Sequence, residues 1–403
     1  MFLFILLSAD SLLFGTNSSG LASKTANYFP LFLFVGLCLY CLKNRQKISL
    51  SLALGSCLML ILNLFYTWVI VSECEELGSY IMAFYLCVDS FLLTQIIKLD
   101  RFISLFEKTV FFLALSSIIT YFTFLIIPQM TSLFPLITNK SQLQFSNLLI
   151  ATFPITEFNP RNFSIFREPG VFSIYLSLSF VFYLFSKEYN VYKFFVYLVC
   201  VYTTFSTTAY YVFGIILVMY LFSRRTRFVN FATATLVFAV ISLLYFEVIT
   251  TTTSDDIIYL LNKPFSAYTT SSIVRRASFE VNLEIFLEHF FFGLGPEDAQ
   301  VIFQSVASSR YDRDVFDNAN TFMYFFATYG IVFGSVIIGG FVSFCSRLTN
   351  SMYLRLLSII AVTVLFSSEN MYRSFLPYLL TIYGFMFFDK KDPEKPLEQT
   401  ALE

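Results

Sequence analysis

The residues best placed to do chemistry lie in one short stretch, Arg161-Asn-Phe-Ser-Ile-Phe-Arg167-Glu168-Pro169-Gly170, immediately before a long apolar run. Two guanidinium groups and a carboxylate at the edge of a hydrophobic segment are costly unless they bind something. Guanidinium pairs suit phosphate and carboxylate groups, which they grip through two parallel N–H bonds. Pro169 and Gly170 break the preceding chain and start a helix, whose free N–H groups favour an anion at its mouth. A second charged set follows: Arg275-Arg276, then Arg310, Asp312, Arg313, Asp314 and Asp317-Asn-Ala-Asn320, again just before an apolar run.

The elements that carry these groups are membrane helices. Of the 403 residues, 57% are hydrophobic, 20% aromatic and only 13% charged, with a mean hydropathy of +0.71. Apolar runs recur along the whole chain, the mark of transmembrane helices. The reading is all-α: one polytopic domain over 1–403 with about twelve spans. They fall near 2–15, 28–42, 48–71, 80–97, 109–127, 170–186, 194–206, 208–222, 228–249, 321–345, 353–369 and 374–388. The opening run lacks a basic start and a small-residue exit, so it reads as a retained helix rather than a cleaved signal.

Charge sets the orientation. A single helix over 194–222 would be about 43 Å long, more than the ~30 Å hydrocarbon core. Both its flanks are basic, Lys187 and Lys193 before, Arg224, Arg225 and Arg227 after. The positive-inside bias therefore turns it into a hairpin at Thr203-Thr-Phe-Ser-Thr-Thr208. Most Lys and Arg then fall inside, with both termini and the 389–403 tail. Two long loops, about 128–169 and 250–320, lie outside, so the chemistry faces outward.

Composition excludes several classes. A formal charge of -1 argues against nucleic acid. No Walker motif, no His-Glu-x-x-His and no clustered metal ligands occur, so neither ATP hydrolysis nor a metal site is expected. Six of the seven cysteines fall in apolar runs and read as small core residues; Cys74 sits alone in a short loop. In the second loop, Phe279, Leu283, Phe286 and Phe290 share one helical face and Glu280, Glu284 and Glu288 another. The helix would lie in the interface or pack on the bundle, with a solvated glutamate stripe, and stops at Gly293-Leu-Gly295-Pro296.

Each feature has a plainer reading. Arginines near helix ends snorkel to headgroups, although an outward arginine runs against the topology bias. His289, the only histidine, also fits as an interfacial residue, and the 203–208 hydroxyls as glue between helices. Asp10 and Asp89 fall within apolar runs, where hydroxyls or amides such as Gln95 can pair with them.

In four stretches the chain resembles bacterial O-antigen and capsule repeat-unit polymerases (Wzy-type), relatives of the O-antigen ligases. These are Arg161-x-x-Ser-x-Phe-x-Glu168-Pro, the Thr203–Thr208 hairpin, Arg275-x-x-x-Phe279 with Gly293-x-Gly295, and Asn320 with Gly330. The ligases carry His before that last Asn; here it is Ala319, which favours polymerase over ligase. The resemblance implies a GT-C-like membrane glycosyltransferase in the bacterial inner membrane, acting at the periplasmic face. It would move the growing glycan from undecaprenyl pyrophosphate to the next lipid-linked repeat, without nucleotide, metal or other cofactor. Partners would be undecaprenyl-pyrophosphate-linked oligosaccharides and membrane lipid, with a chain-length regulator left open. In that scheme Arg161 and Arg275 clamp the pyrophosphate, with Arg167 and Arg276 beside them. Glu168 takes the acceptor proton or orients an arginine. Asp317, Asn320, His289 and Arg373 contact substrate, and His289, Asp317 and Glu369 are the reserve bases. The rivals are an O-antigen ligase and a lipid-linked oligosaccharide flippase, which would not be an enzyme.

Overall fold

The computed structural model describes residues 1–15, 20–45, 52–74, 77–139, 142–156, 160–185, 190–223, 270–311 and 318–386. The expected span 228–249, the start of the second loop, Asp317 and the 389–403 tail lie outside the described residues.

The described chain is mostly helical: α1 (Phe2–Leu7), α2 (Leu12–Gly15), α3 (Gly20–Lys43), α4 (Leu52–Tyr66), α5 (Leu77–Ile96), α6 (Leu99–Ile126), α7 (Pro169–Phe185), α8 (Val191–Thr203) and α9 (Thr207–Ser223) come first. After the undescribed segment follow α10 (Thr270–Glu288), α11 (Pro296–Tyr311), α12 (Thr321–Leu348), α13 (Met352–Phe366) and α14 (Phe375–Phe385). Among the described residues five segments are long and apolar enough to cross a membrane: Lys24–Lys43, Leu52–Val71, Leu77–Ile96, Leu99–Ile126 and Thr321–Leu348. Further apolar helices, among them α7, α8, α9, α13 and α14, are shorter. This is a multi-pass membrane protein.

The architecture is organised around α7. Every residue from Pro169 to Phe185 is buried, as expected of a helix that is apolar on all sides. It packs against α6, α8, α9 and α13, and α12 lies against α14, α10, α4 and α13. The α12–α14 crossing is close because Gly340 and Gly384 meet there: a Cβ on Gly384 would lie 2.0 Å from the Gly340 carbonyl oxygen. Small residues let membrane helices approach in this way.

The hairpin expected at 203–208 is present, with α8 and α9 joined through Thr204-Phe205-Ser206. Two expectations are corrected. The first span, 2–15, is two short helices broken at Ser8–Ser11, where Ser8 and Ser11 hydroxyls bond to nearby backbone groups and compete with the helical pattern. The first long loop holds a three-stranded antiparallel sheet, β1 (Leu136–Thr138), β2 (Gln144–Asn147) and β3 (Thr152–Pro154), so the fold is not wholly α. Its Phe153 packs on Tyr121 and Phe124 of α6. The helix expected after Arg275-Arg276 is α10, and it packs on the bundle through α12. Its buried face is Ala277, Ser278, Val281, Asn282 and Ile285, whereas Phe279 is 50% and Phe290 41% exposed. Small residues face the helices it packs on, and most of the rings point outward. Its glutamate stripe is solvated, as expected, and two of its members are also paired. Glu284 holds Arg310 of α11 through two bonds of 2.8 and 2.7 Å, and Glu280 accepts from Tyr311 at 2.6 Å.

Candidate functional site

The Arg161–Gly170 stretch is held from three sides. The Asn162 amide donates to Ser117 Oγ on α6 (3.1 Å) and to Thr203 Oγ1 on α8 (3.0 Å), and the Asn162 N–H donates to the Thr203 carbonyl (2.9 Å). The hairpin hydroxyls thus join helices and fix this segment. Ser164 takes a left-handed φ of 50°, and its carbonyl accepts from the Thr152 N–H of β3 (2.7 Å). From the third side comes the break after α1. Leu12 N–H donates to Ile165 O (2.8 Å), and Arg167 N–H donates to Asp10 O (2.9 Å). The Asp10 carboxylate, almost fully buried, accepts from Tyr175 (2.6 Å) and from Ser374. Asp10 is therefore paired with hydroxyls, as its place in an apolar run required. Both oxygens of Asp89 are buried without a partner.

This scaffold delivers Arg167 and Glu168 to the N-terminus of α7, where the Glu168 carbonyl accepts from Phe172 N–H (3.1 Å). A fourth segment meets them there. The turn between α13 and α14 is tied to the start of α12: Thr321 Oγ1 donates to Glu369 O (2.6 Å) and accepts from Met371 N–H (2.9 Å). That places the Glu369 side chain directly against Gly170. A Cβ at Gly170 would sit 1.7 Å from Glu369 Oε1, so only glycine admits the carboxyl. Arg167 donates to the Asn370 carbonyl in the same turn, and its Nε–H is buried without a hydrogen-bond partner.

Arg275 arrives on α10. The Ser278 hydroxyl accepts from Ala319 N–H (2.8 Å), and the Asn318 amide donates to Asn282 (3.1 Å), so α10 is pinned to the residues just before α12. Asn320 caps α12, its side chain accepting from Met323 N–H (3.0 Å). The glycine motif explains the other end of α10. Gly293 and Gly330 both have positive φ, 70° and 78°. Leu294 and Gly295 N–H groups donate to Ala327 and Thr328 carbonyls (both 3.0 Å), and Ile331 N–H donates to Phe290 O (2.9 Å). The chain after α10 thus docks into an interruption of α12 at Gly330.

The electrostatics converge on Glu369. Burial pushes its carboxyl up to about 8; the negative charge of Glu168 and a carboxyl–carboxyl hydrogen bond to Glu168 add to this, while Arg275 and Arg167 oppose it. Glu369 therefore holds its proton through neutral pH. Around Arg167, burial works against the charge, and Glu168, Asp10 and Glu369 together outweigh it. With Glu369 protonated, two guanidiniums face one carboxylate of the pair, so the mouth of α7 favours an anion.

The structure brings together Arg167, Glu168, Arg275 and Glu369. Arg161 lies with its guanidinium over the Phe163 ring (5.6 Å). Arg276 is exposed and pairs with Glu280 (2.8 Å). His289 is exposed at the far end of α10, about 21 Å from Arg275 along the helix axis at 1.5 Å per residue. Arg373 is exposed over Tyr372 (5.2 Å). Among the described residues no three of His, Cys, Asp and Glu converge as a metal site would require. Sequence reasoning ranked Glu369 only as a reserve base. It follows an apolar run and carries no motif, and only the turn onto Thr321 reveals its place.

Residues 193–338 match the family model described as O-antigen ligase (Wzy_C). The matched region contains the Thr203–Thr208 hairpin, Arg275, Gly293, Gly295, Asn320 and Gly330, in line with a Wzy-type or O-antigen ligase-related protein. No curated protein matches the chain.

Proposed function

We propose that the chain is an O-antigen polymerase, a membrane glycosyltransferase that moves a glycan from a polyprenyl diphosphate onto the next lipid-linked repeat. One observation carries the reading. Arg167, Arg275 and the Glu168–Glu369 carboxyl pair, drawn from three distant segments, meet at the N-terminus of α7. The acceptor hydroxyl oxygen bonds to the anomeric carbon of the donor sugar. Its proton passes to Glu168, the more exposed carboxylate of the pair. The bond from anomeric carbon to diphosphate oxygen breaks, and the leaving diphosphate keeps the electron pair. Arg275 and Arg167 take up the negative charge that develops, through fixed donors that need no reorganisation. The unpartnered Nε–H of Arg167 is one such donor. Glu369, protonated, hydrogen-bonds Glu168 and keeps the site net positive. Arg161 and Arg276 serve as approach residues for the diphosphate.

The description of the matched family supports a second reading, an O-antigen ligase that passes the finished glycan to a lipid acceptor. Ala319, where the ligases resembled here carry histidine, weighs against it. One gel separates the readings. A strain lacking a polymerase makes core bearing a single repeat; one lacking a ligase makes core with no antigen; one lacking a flippase traps the lipid-linked repeat inside. Purified protein supplied with defined lipid-linked repeats should build a ladder, and Arg275→Ala should not. A ladder from Arg275→Ala protein that matches wild type would refute the assignment.

A further inference from the structure

Two cavities flank α3, and both are lined by Lys24 and Tyr28. The first, of about 750 Å³, runs between α1, α3 and α5, from Lys24 to Tyr40 on α3. That is about 24 Å of helix at 1.5 Å per residue, and its walls are almost entirely hydrocarbon: Phe29, Phe32, Leu33, Leu37, Leu93 and Ile97 among them. The second, of about 760 Å³, is of another kind. Tyr28, Tyr85, Tyr329, Tyr372 and Tyr378 line it, with Lys24 and Arg373 as its cations and Glu297 as its one carboxylate among the described residues. Tyr372 and Arg373 belong to the turn that carries Glu369, so this cavity adjoins that turn.

A greasy groove as long as a membrane leaflet is deep, ending on two cations and a tyrosine-lined chamber, has the chemistry of a long-chain lipid with a phosphate headgroup. The tail would lie along α3, and the phosphate would meet Lys24 and Arg373. Tyrosine rings and hydroxyls suit sugars beyond the phosphate, since each offers an apolar face and a polar tip. We infer that α3 holds a second lipid site, for a polyprenyl phosphate or diphosphate, distinct from the Arg167–Arg275 site at α7. Its further assignment as the acceptor's berth rests on the polymerase reading, in which two lipid-linked substrates must meet; the lipid site itself does not.

Gly36 makes the inference testable. It lines the apolar groove, and a Cβ there would meet nothing within 4 Å. Gly36→Phe therefore fills the groove while leaving the helix packing alone. Full-length protein in zwitterionic nanodiscs is titrated with undecaprenyl phosphate, and bound lipid is read by native mass spectrometry. Lys24→Gln, Arg373→Gln and Gly36→Phe should each weaken retention about tenfold, and Gly214→Ala, whose Cβ would meet nothing within 4 Å, should leave it unchanged. Unchanged retention in Lys24→Gln and Gly36→Phe overturns the inference. So does displacement by equal concentrations of phosphatidylglycerol, which marks a general lipid annulus, or by inorganic phosphate alone, which marks a bare anion site. Should these variants lose the lipid while Arg275→Ala still polymerises, the α3 site stands and the α7 mechanism falls.

Discussion

Gly170→Ala isolates the placement of one carboxyl from every other property of the site. The added methyl would lie 1.7 Å from Glu369 Oε1 and 2.4 Å from Cδ, where real Cβ contacts essentially never fall below 3.0 Å. The carboxyl must retreat by about 1.3 Å to reach that limit. In doing so it leaves its hydrogen bond to Glu168 and shifts away from Arg275 and Arg167. No charged group is removed. A displacement of this order in a reacting constellation costs about 10²-fold in rate. The fold should not suffer, because alanine in a first helical turn is more favourable than glycine by up to about 1 kcal/mol. The assay is the initial rate of ladder formation by purified protein on lipid-linked repeats, beside thermal unfolding of the same samples. Gly214→Ala, whose Cβ would meet nothing within 4 Å, is the control. Shortening the neighbour should rescue: Glu369→Asp withdraws the carboxyl by one carbon–carbon bond, about 1.5 Å, so the double variant should outpace Gly170→Ala alone. Wild-type rate in Gly170→Ala would refute the reasoning, because Glu369 would then have no need to lie where it does.

The remaining predictions concern the charges and the scaffold. Arg275→Ala and Arg167→Ala should each slow polymerisation about 10²–10³-fold, the usual loss for a donor to developing charge, with protein still in the membrane by immunoblot. The Glu369 carboxyl, pushed up to about 8 by burial and then by Glu168, holds its proton through neutral pH. Activity should fall as pH rises past about 8, where a new negative charge faces the diphosphate, and Glu369→Gln should abolish that alkaline limb in a pH–rate profile. The same group affects stability. Its folded value lies above its unfolded one, so its contribution is full below pH 4.5 and is lost as pH rises through about 8. Unfolding temperatures of wild type should accordingly drop across that window more than those of Glu369→Gln. Gly330→Ala forces a side chain into φ 78°, with its Cβ 2.2 Å from the Phe291 carbonyl oxygen. Strain of about 1–3 kcal/mol together with that clash should lower thermal stability and membrane yield.

The local signals in this sequence survive in the structure, and the long-range ones were out of reach. Helix length against bilayer thickness, with basic flanks, located the α8–α9 turn at 203–208, because both constraints act within one segment. Pro169-Gly170 marked the start of α7 for the same reason. The sheet at Leu136–Pro154 was missed: its strands are three or four residues long, too short for alternation to stand out among aromatic residues. The helical pattern separated the rings of α10 from its glutamates without saying which face packs. Beside a bilayer, rings gain as much from lipid as from core, and small residues mark the packed face. Pairing Glu369 with Glu168 needed the turn after α13 to reach Thr321, which no periodicity encodes.

Three locks place Arg275 beside Glu369, and they share an origin in α12. At its start, Asn320 caps the helix and Thr321 grips the turn bearing Glu369. In the residues before it, Asn318 and Ala319 hold α10 through Asn282 and Ser278. One-third of the way along, the break at Gly330 receives the chain that leaves α10. The guanidinium and the carboxyl are thus both referenced to α12, and α7 supplies a further point through Gly170. Such a site keeps its geometry although its members come from loops. A diphosphate leaving group needs that, because fixed charges stabilise it only if they are in place before the bond breaks. The Asn320–Gly330 spacing is therefore best understood as the distance between two anchors on α12 that position Arg275.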